Sequence, residues 1–66
     1  MGYPIMQYII RRRIGEAQNQ LISTNLSIAE IAEKAGFTDT SYFDVMFRKK
    51  VGTSPRKYRR IYHGME

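Results

Sequence analysis

The chain is predicted to be all-α, a small bundle of about four helices. Three observations carry this. Apolar residues recur at the i, i+3, i+4, i+7 spacing of a helix face through most of the 66 residues. Ser27, Asp39 and Ser54 stand as N-caps ahead of three such runs. Gly36 and Gly52 follow two of them, where a left-handed turn ends a helix at no steric cost. Residues 1–66 are read as one domain, with helices at about 4–22, 28–35, 40–51 and 55–62.

A chain this short buries only about 60% of the surface its unfolded form exposes. It has no cysteine, so neither a disulfide nor a thiolate metal site supports its core. Eleven Lys plus Arg against six Asp plus Glu give a net charge of +5. The cations cluster at Arg11 to Arg13, Arg48 to Lys50 and Arg56 to Arg60. One such run is commonly a solvated surface; three in so short a chain favour an anionic partner, either nucleic acid or a membrane surface. The N-terminus lacks the charged and apolar regions of a secretion signal, and no apolar run nears the roughly 18 residues of a bilayer span. Met6 stands where a myristoylation signal requires Ser or Thr. Asn25-Leu26-Ser27 fits a glycosylation pattern by chance. The expected location is cytoplasmic.

In the first helix, Pro4 suits the first turn, where a missing N–H costs nothing. Tyr8, Ile10, Ile14, Ala17 and Leu21 lie near one side, with Ile9 beside them. Gly15 costs about 1 kcal/mol relative to Ala inside a helix and is expected to mark a close approach by another helix. Ser23-Thr24-Asn25 ends the helix.

Ser27-Ile28-Ala29-Glu30 is a capping box, flanked by Leu26 and Ile31 at the staple positions. Ile28, Ile31, Ala32 and Ala35 form the apolar face of this second helix, and Gly36 stops it. Phe37 is expected to plug the turn that follows. The third helix, capped by Asp39 and closed by Gly52, sets Phe43, Met46, Phe47, Lys50 and Val51 on one face. Ser41, Tyr42, Val45, Arg48 and Lys49 lie on the other. Thr53-Ser54-Pro55 starts a short basic fourth helix. Residues 64 to 66 are expected to fray. A faint repeat relates Gly2, Pro4 and Tyr8 to Gly52, Pro55 and Tyr58.

A short helix, a Gly-containing turn and a second helix with a polar outer face make a helix-turn-helix, here in a homeodomain-like bundle. The second helix is held rigidly from behind so that its first turns can meet base edges in a major groove, while cations and helix starts meet phosphates. Phe43 and Phe47 supply the hold.

At this point the residues resemble a known family. Ile28-Ala29-Glu30-Ile31-Ala32, followed by Gly36-Phe37-Thr38-Asp39-Thr40-Ser41-Tyr42-Phe43, is similar to the second helix-turn-helix of AraC/XylS-type transcription regulators. The likeness continues through Phe47-Arg48-Lys49-Lys50, Gly52-Thr53-Ser54-Pro55 and Tyr58-Arg59. Arg13-Ile14, Ala17 and Leu21 resemble that family's linking helix. The resemblance implies two helix-turn-helix units joined by the linking helix, each followed by a Gly…Pro…Tyr segment. This chain is then expected to be the C-terminal half, with the N-terminal unit and an effector or dimerisation domain lying outside it. The implied function is sequence-specific binding of double-stranded DNA in transcription regulation. RNA polymerase is an alternative partner, and no cofactor is implied.

Carried over residue by residue, the resemblance puts base contacts at Thr40, Ser41, Tyr42 and Val45, with Arg48 on the same outward face. Where the family often has Ser-Arg, this chain has Asp44-Val45. An arginine can bind guanine through two hydrogen bonds; Val45 offers only apolar contact, for example to a thymine methyl. A thymine is therefore expected at that step. Asp44 either accepts from a cytosine amino group or pairs with Arg48 at i, i+4, the reading its charge near DNA favours. Tyr42 contacts a sugar-phosphate edge or a base, or simply packs. Phosphate contacts are expected at the helix starts Ser27-Ile28 and Ser54-Pro55, with Arg56, and at Thr38 and Lys49.

Other classes fit less well. One tail histidine, His63, and scattered carboxylates supply no acid–base pair. Ser41 has no neighbouring histidine and no Gly-rich phosphate loop is present, so no catalytic residue is assigned. Glu30 and Glu33 lack a nearby His or Cys for a metal. A membrane-surface peptide is disfavoured by the sharp caps at Ser27, Asp39 and Ser54.

Overall fold

The computed structural model describes residues 5–65. Four helices make up the regular structure of those residues: α1 (Ile5–Ser23), α2 (Ile28–Lys34), α3 (Thr40–Val51) and α4 (Pro55–Tyr62). Gly2 and Pro4, and with them the first half of the faint repeat, lie outside the described residues. Its remaining member, Tyr8, is 55% exposed, whereas Tyr58 packs against the core and receives a hydrogen bond from Gln18 Nε2 at 3.3 Å.

The core forms where α1 crosses the α2–turn–α3 unit. Ile10, Ile14, Ala17 and Leu21 of α1 meet Ile31 and Ala32 of α2, then Ala35, Phe37, Phe43 and Phe47. Full burial of a side chain such as Leu21, Ile31, Phe43 or Phe47 contributes about 1.5–3 kcal/mol. The aromatic rings form a continuous line: Phe37–Phe43 at 5.2 Å, Phe43–Phe47 at 5.7 Å, Phe47–Tyr58 at 5.5 Å and Tyr58–Tyr62 at 4.6 Å between centroids. That line binds α4 to α3 and fixes the turn from below, with Phe37 as its plug. Tyr8 departs from the expected apolar face because it precedes Ile10, the first α1 residue to be buried.

The end of α1 is satisfied from a distance. The last carbonyls of a helix have no partner within it. Here the Arg59 guanidinium, reaching back from α4, donates from Nη1 to Leu26 O at 2.6 Å, from Nη2 to Thr24 O at 3.2 Å and from Nε to Leu21 O at 3.3 Å. His63 Nε2 donates to Thr24 O at 2.9 Å, which requires the Nε2-protonated tautomer. The Gly64 N–H donates to Ile22 O at 3.0 Å. Fraying from residue 64 is thus corrected for Gly64 and Met65, whose backbones are hydrogen-bonded to Ile22 and Tyr62.

The two helix-ending glycines have φ of 97°. At Gly36 the positive φ is what excludes a side chain, since the atom nearest an added Cβ, Arg13 Nε at 2.8 Å, belongs to a flexible side chain that can move aside. Gly15 corrects an expectation. It is exposed, and a Cβ there would meet nothing within 4 Å, so no neighbouring helix requires it. No described helix is long and apolar enough to cross a membrane. Replacing Gly15 with Ala should therefore stabilise the chain by about 0.8–1.0 kcal/mol, raising the thermal midpoint followed by circular dichroism by roughly 4–8 °C. Destabilisation would mean that the glycine serves a contact absent from this fold.

Candidate nucleic-acid interface

Three helix starts converge on one side of the bundle, and each is capped by its own residue. Before α2, the Ser27 hydroxyl accepts from the Glu30 N–H at 3.0 Å, while Glu30 Oε1 accepts from the Ser27 N–H at 2.9 Å. Before α3, Asp39 Oδ1 accepts from the Ser41 N–H at 2.9 Å. Before α4, the Ser54 hydroxyl accepts from the Lys57 N–H at 3.1 Å, and Pro55 fills the first position, where an N–H would be wasted. The caps differ electrostatically. Neutral serine hydroxyls cap α2 and α4 and a carboxylate caps α3, while the Glu30 carboxylate of the capping box also stands at the start of α2, so α4 alone begins without a carboxylate. An incoming anion is repelled most at the start of α3, where the carboxylate is the cap itself. It can bond the uncommitted first N–H groups of α2, at Ile28 and Ala29, and that of Arg56 in α4.

Between these starts runs an open groove of about 850 Å³. The start of α2 lines it with Ser27, Ile28 and Ala29, α3 with Thr40, Ser41, Asp44 and Val45, and α4 with Pro55, Arg56 and Arg59. Six sequence-predicted residues thus share one groove: Ser27, Ile28, Thr40, Ser41, Val45 and Arg56. Val45 is 52% exposed, an apolar side chain held toward solvent on a polar face. The others lie outside it. Thr38 lines an adjoining groove with Ala29, Glu33 and Thr40. Tyr42, Arg48 and Lys49 are exposed on α3, and half-buried Ser54 is occupied as a cap. Of the readings for Tyr42, packing is the one seen: its ring lies on Phe37 with centroids 6.0 Å apart, and it stays 47% exposed.

Asp44 pairs with Arg48, with Oδ2 3.0 Å from Nε. The i, i+4 alternative is the one found. Behind this face, Phe43 and Phe47 are buried and Met46 and Val51 half-buried, but Lys50 is exposed. Position 50 shares the inner stripe only in projection, and its ammonium reaches water.

Sequence reasoning missed Arg59 as a groove-lining, carbonyl-holding residue, treating it as one of the basic run. The signal was its spacing. Pro55, Tyr58, Arg59 and Tyr62 follow i, i+3, i+4, i+7 on α4, the inner stripe, so an arginine there must find acceptors inside. Among the described residues no group of three His, Cys, Asp or Glu side chains is arranged to hold a metal.

A sequence-family model described as "Helix-turn-helix domain" matches residues 1–61. The HTH-type transcriptional activator RhaR of Cronobacter sakazakii is 43% identical over 58 residues, covering 88% of this chain and 20% of RhaR. The chain spans about a fifth of the length of the first curated relatives it matches. Among solved structures, the C-terminal domain of AraT, a response regulator from Geobacillus stearothermophilus, superposes with a TM-score of 0.91 at 37% identity, over 98% of this chain and 54% of that one. The DNA-binding domain of AdpA, a global transcriptional factor solved in complex with a target DNA, gives 0.86 at 33% identity, over 92% and 54%.

The capping box carries a pH dependence. Hydrogen bonds from the Ser27 backbone N–H and then its hydroxyl, with a smaller attraction from Lys34, hold the Glu30 carboxyl below its ordinary range against a slight opposing effect of burial. A carboxylate lowered in the folded state adds stability that is complete above its unfolded value and is lost as pH falls through the folded value. Glu30→Gln keeps a capping side chain without the charge. The wild type should therefore melt above this variant near pH 7, and the gap should narrow as pH falls through the lowered range of the Glu30 carboxyl. A gap unchanged at acid pH in parallel melts would contradict this origin.

Proposed function

The chain belongs to the AraC/XylS family of helix-turn-helix transcription regulators, and on that premise we propose that it binds double-stranded DNA with α3 in the major groove. The matched relatives are described as transcription regulators, with AdaA of Bacillus subtilis combining activation with DNA repair. The observation that carries the reading is the shared groove. In it the uncommitted N–H groups at the starts of α2 and α4 flank the first two turns of α3, on a chain of net charge +5. This arrangement suits a duplex, with phosphates at the rims and base edges in between.

The roles divide accordingly. Thr40 and Ser41 offer hydroxyls to base edges, Val45 an apolar contact to a thymine methyl, and Arg48 and Tyr42 further contacts along the same helix. Ser27, Ile28, Thr38, Lys49, Ser54 and Arg56 meet the backbone. The AdpA domain, bound to its target DNA, supports this reading through its similarity in fold and sequence. A single unit spans little DNA, so its own affinity falls near the non-specific range of about 10⁻⁴–10⁻⁶ M.

A protein-contacting role, with RNA polymerase as the partner, is the second reading. It is favoured by the exposed apolar residues Ile5, Met6 and Tyr8 at the start of α1, which the DNA-facing groove does not use.

Titration of labelled duplex at several salt concentrations tests the first reading. Neutralising about four phosphates gives a slope of log affinity against log salt of roughly −3.6; a slope near zero would count against DNA binding. Site selection from randomised duplexes then tests Val45. Val45→Arg should replace a thymine preference with a guanine preference at one step, and an unchanged selected site would refute that contact.

A further inference from the structure

Asp44 has no assigned part in binding, yet it lines the groove beside the residues read as base-contacting. A carboxylate facing a polyanion is unfavourable unless it serves a partner. That partner is Arg48, whose Nε lies 3.0 Å from Asp44 Oδ2. We infer that Asp44 is a specificity-determining residue that fixes the Arg48 guanidinium to read a guanine. The inference rests on α3 being the base-reading helix.

The chemistry of the guanidinium decides between base and phosphate. Its five N–H groups lie in one plane in a rigid fork. With Nε–H committed to Asp44, the free edge is the one carrying Nη1 and Nη2, which presents parallel donors at the spacing of guanine O6 and N7. The paired side chain is also a poorer phosphate clamp, because the adjacent carboxylate cancels its charge and repels the phosphate. Directional donors remain while net attraction is reduced, which suits a neutral base edge. Exposure agrees: the Arg48 side chain is 61% exposed and the Asp44 side chain 39%, so the arginine reaches outward and the aspartate supports it from beneath.

Position adds a register. Ser41, Val45 and Arg48 follow i, i+4, i+7 and form one outward stripe of α3. Val45 and Arg48 are three residues apart, about 4.5 Å along the helix, comparable to the roughly 3.4 Å between successive bases. The thymine met by Val45 and the guanine met by Arg48 therefore belong to neighbouring base pairs.

The test is selection from a randomised duplex library with the full chain and its variants, alongside affinity measured on unselected duplex. The wild type should enrich a T·A pair next to a G·C pair. Arg48→Ala should reduce the guanine preference by roughly tenfold or more. Asp44→Ala should reduce it by about fivefold while leaving affinity for unselected duplex equal or higher, since a negative charge has gone. Asp44→Asn, whose amide oxygen can still accept from Arg48 Nε, should keep most of the preference, a rescue that general loss of structure would not give. Should Asp44→Ala fail to fold, the comparison of Asp44→Asn with Arg48→Ala still decides. An unchanged guanine preference in Asp44→Ala, or a loss from Arg48→Ala that is uniform across sequences, would overturn the inference alone. Absence of salt-sensitive duplex binding by the wild type would instead overturn the DNA-binding reading beneath it.

Discussion

The fold depends on one half-buried arginine that braces backbone carbonyls. Arg59 reaches from α4 to three carbonyls at the end of α1 and in the link to α2. Hydrogen bonds from a charged donor are worth about 1.5–3 kcal/mol each when buried, and less where water competes, as it does around a half-buried side chain. Geometry is the larger consequence. By holding Leu26 O, the guanidinium sets where the chain enters α2, one residue before the Ser27 cap. By anchoring α4, it sets where Ser54 and Pro55 stand. The two serine-capped helix starts are thus fixed relative to each other by a single planar group, which a lysine could not reproduce.

This constraint separates the cations by role. In the run Arg56 to Arg60, Arg59 is turned inward while Arg56 borders the groove. On α3, Arg48 is balanced by Asp44 and Lys49 is exposed. Arg13 lies over Gly36, where its side chain fills the space that the missing Cβ leaves. Net charge alone would count these residues equally. Their partners divide them into a structural brace, an arginine paired with a carboxylate, and exposed cations.

Much of the scaffold was legible from local chemistry. The caps Ser27, Asp39 and Ser54 are read from side chains that bond their own backbone within three residues. The plug at Phe37 and the inward Phe43 and Phe47 follow from spacing and turn residues. Other features depend on partners far along the chain. Arg59 to Leu26 and His63 to Thr24 link residues more than thirty apart, and no local pattern names the acceptor. Gly15 was misread for the opposite reason: glycine in a helix suggests a close neighbour, but only the packing reveals open space. In the groove, Thr40, Ser41 and Val45 were legible as an outward face; its convergence with the start of α4 required the tertiary arrangement.

In the proposed binding mode one face, built from the starts of α2 and α4 and the outer side of α3, receives the duplex. NMR titration of the isotopically labelled chain with duplex DNA tests it most directly. Amide shifts concentrated at residues 27–29, 38–49 and 54–57 are the predicted result. Shifts confined to residues 5–22 of α1, with the groove unaffected, would contradict it.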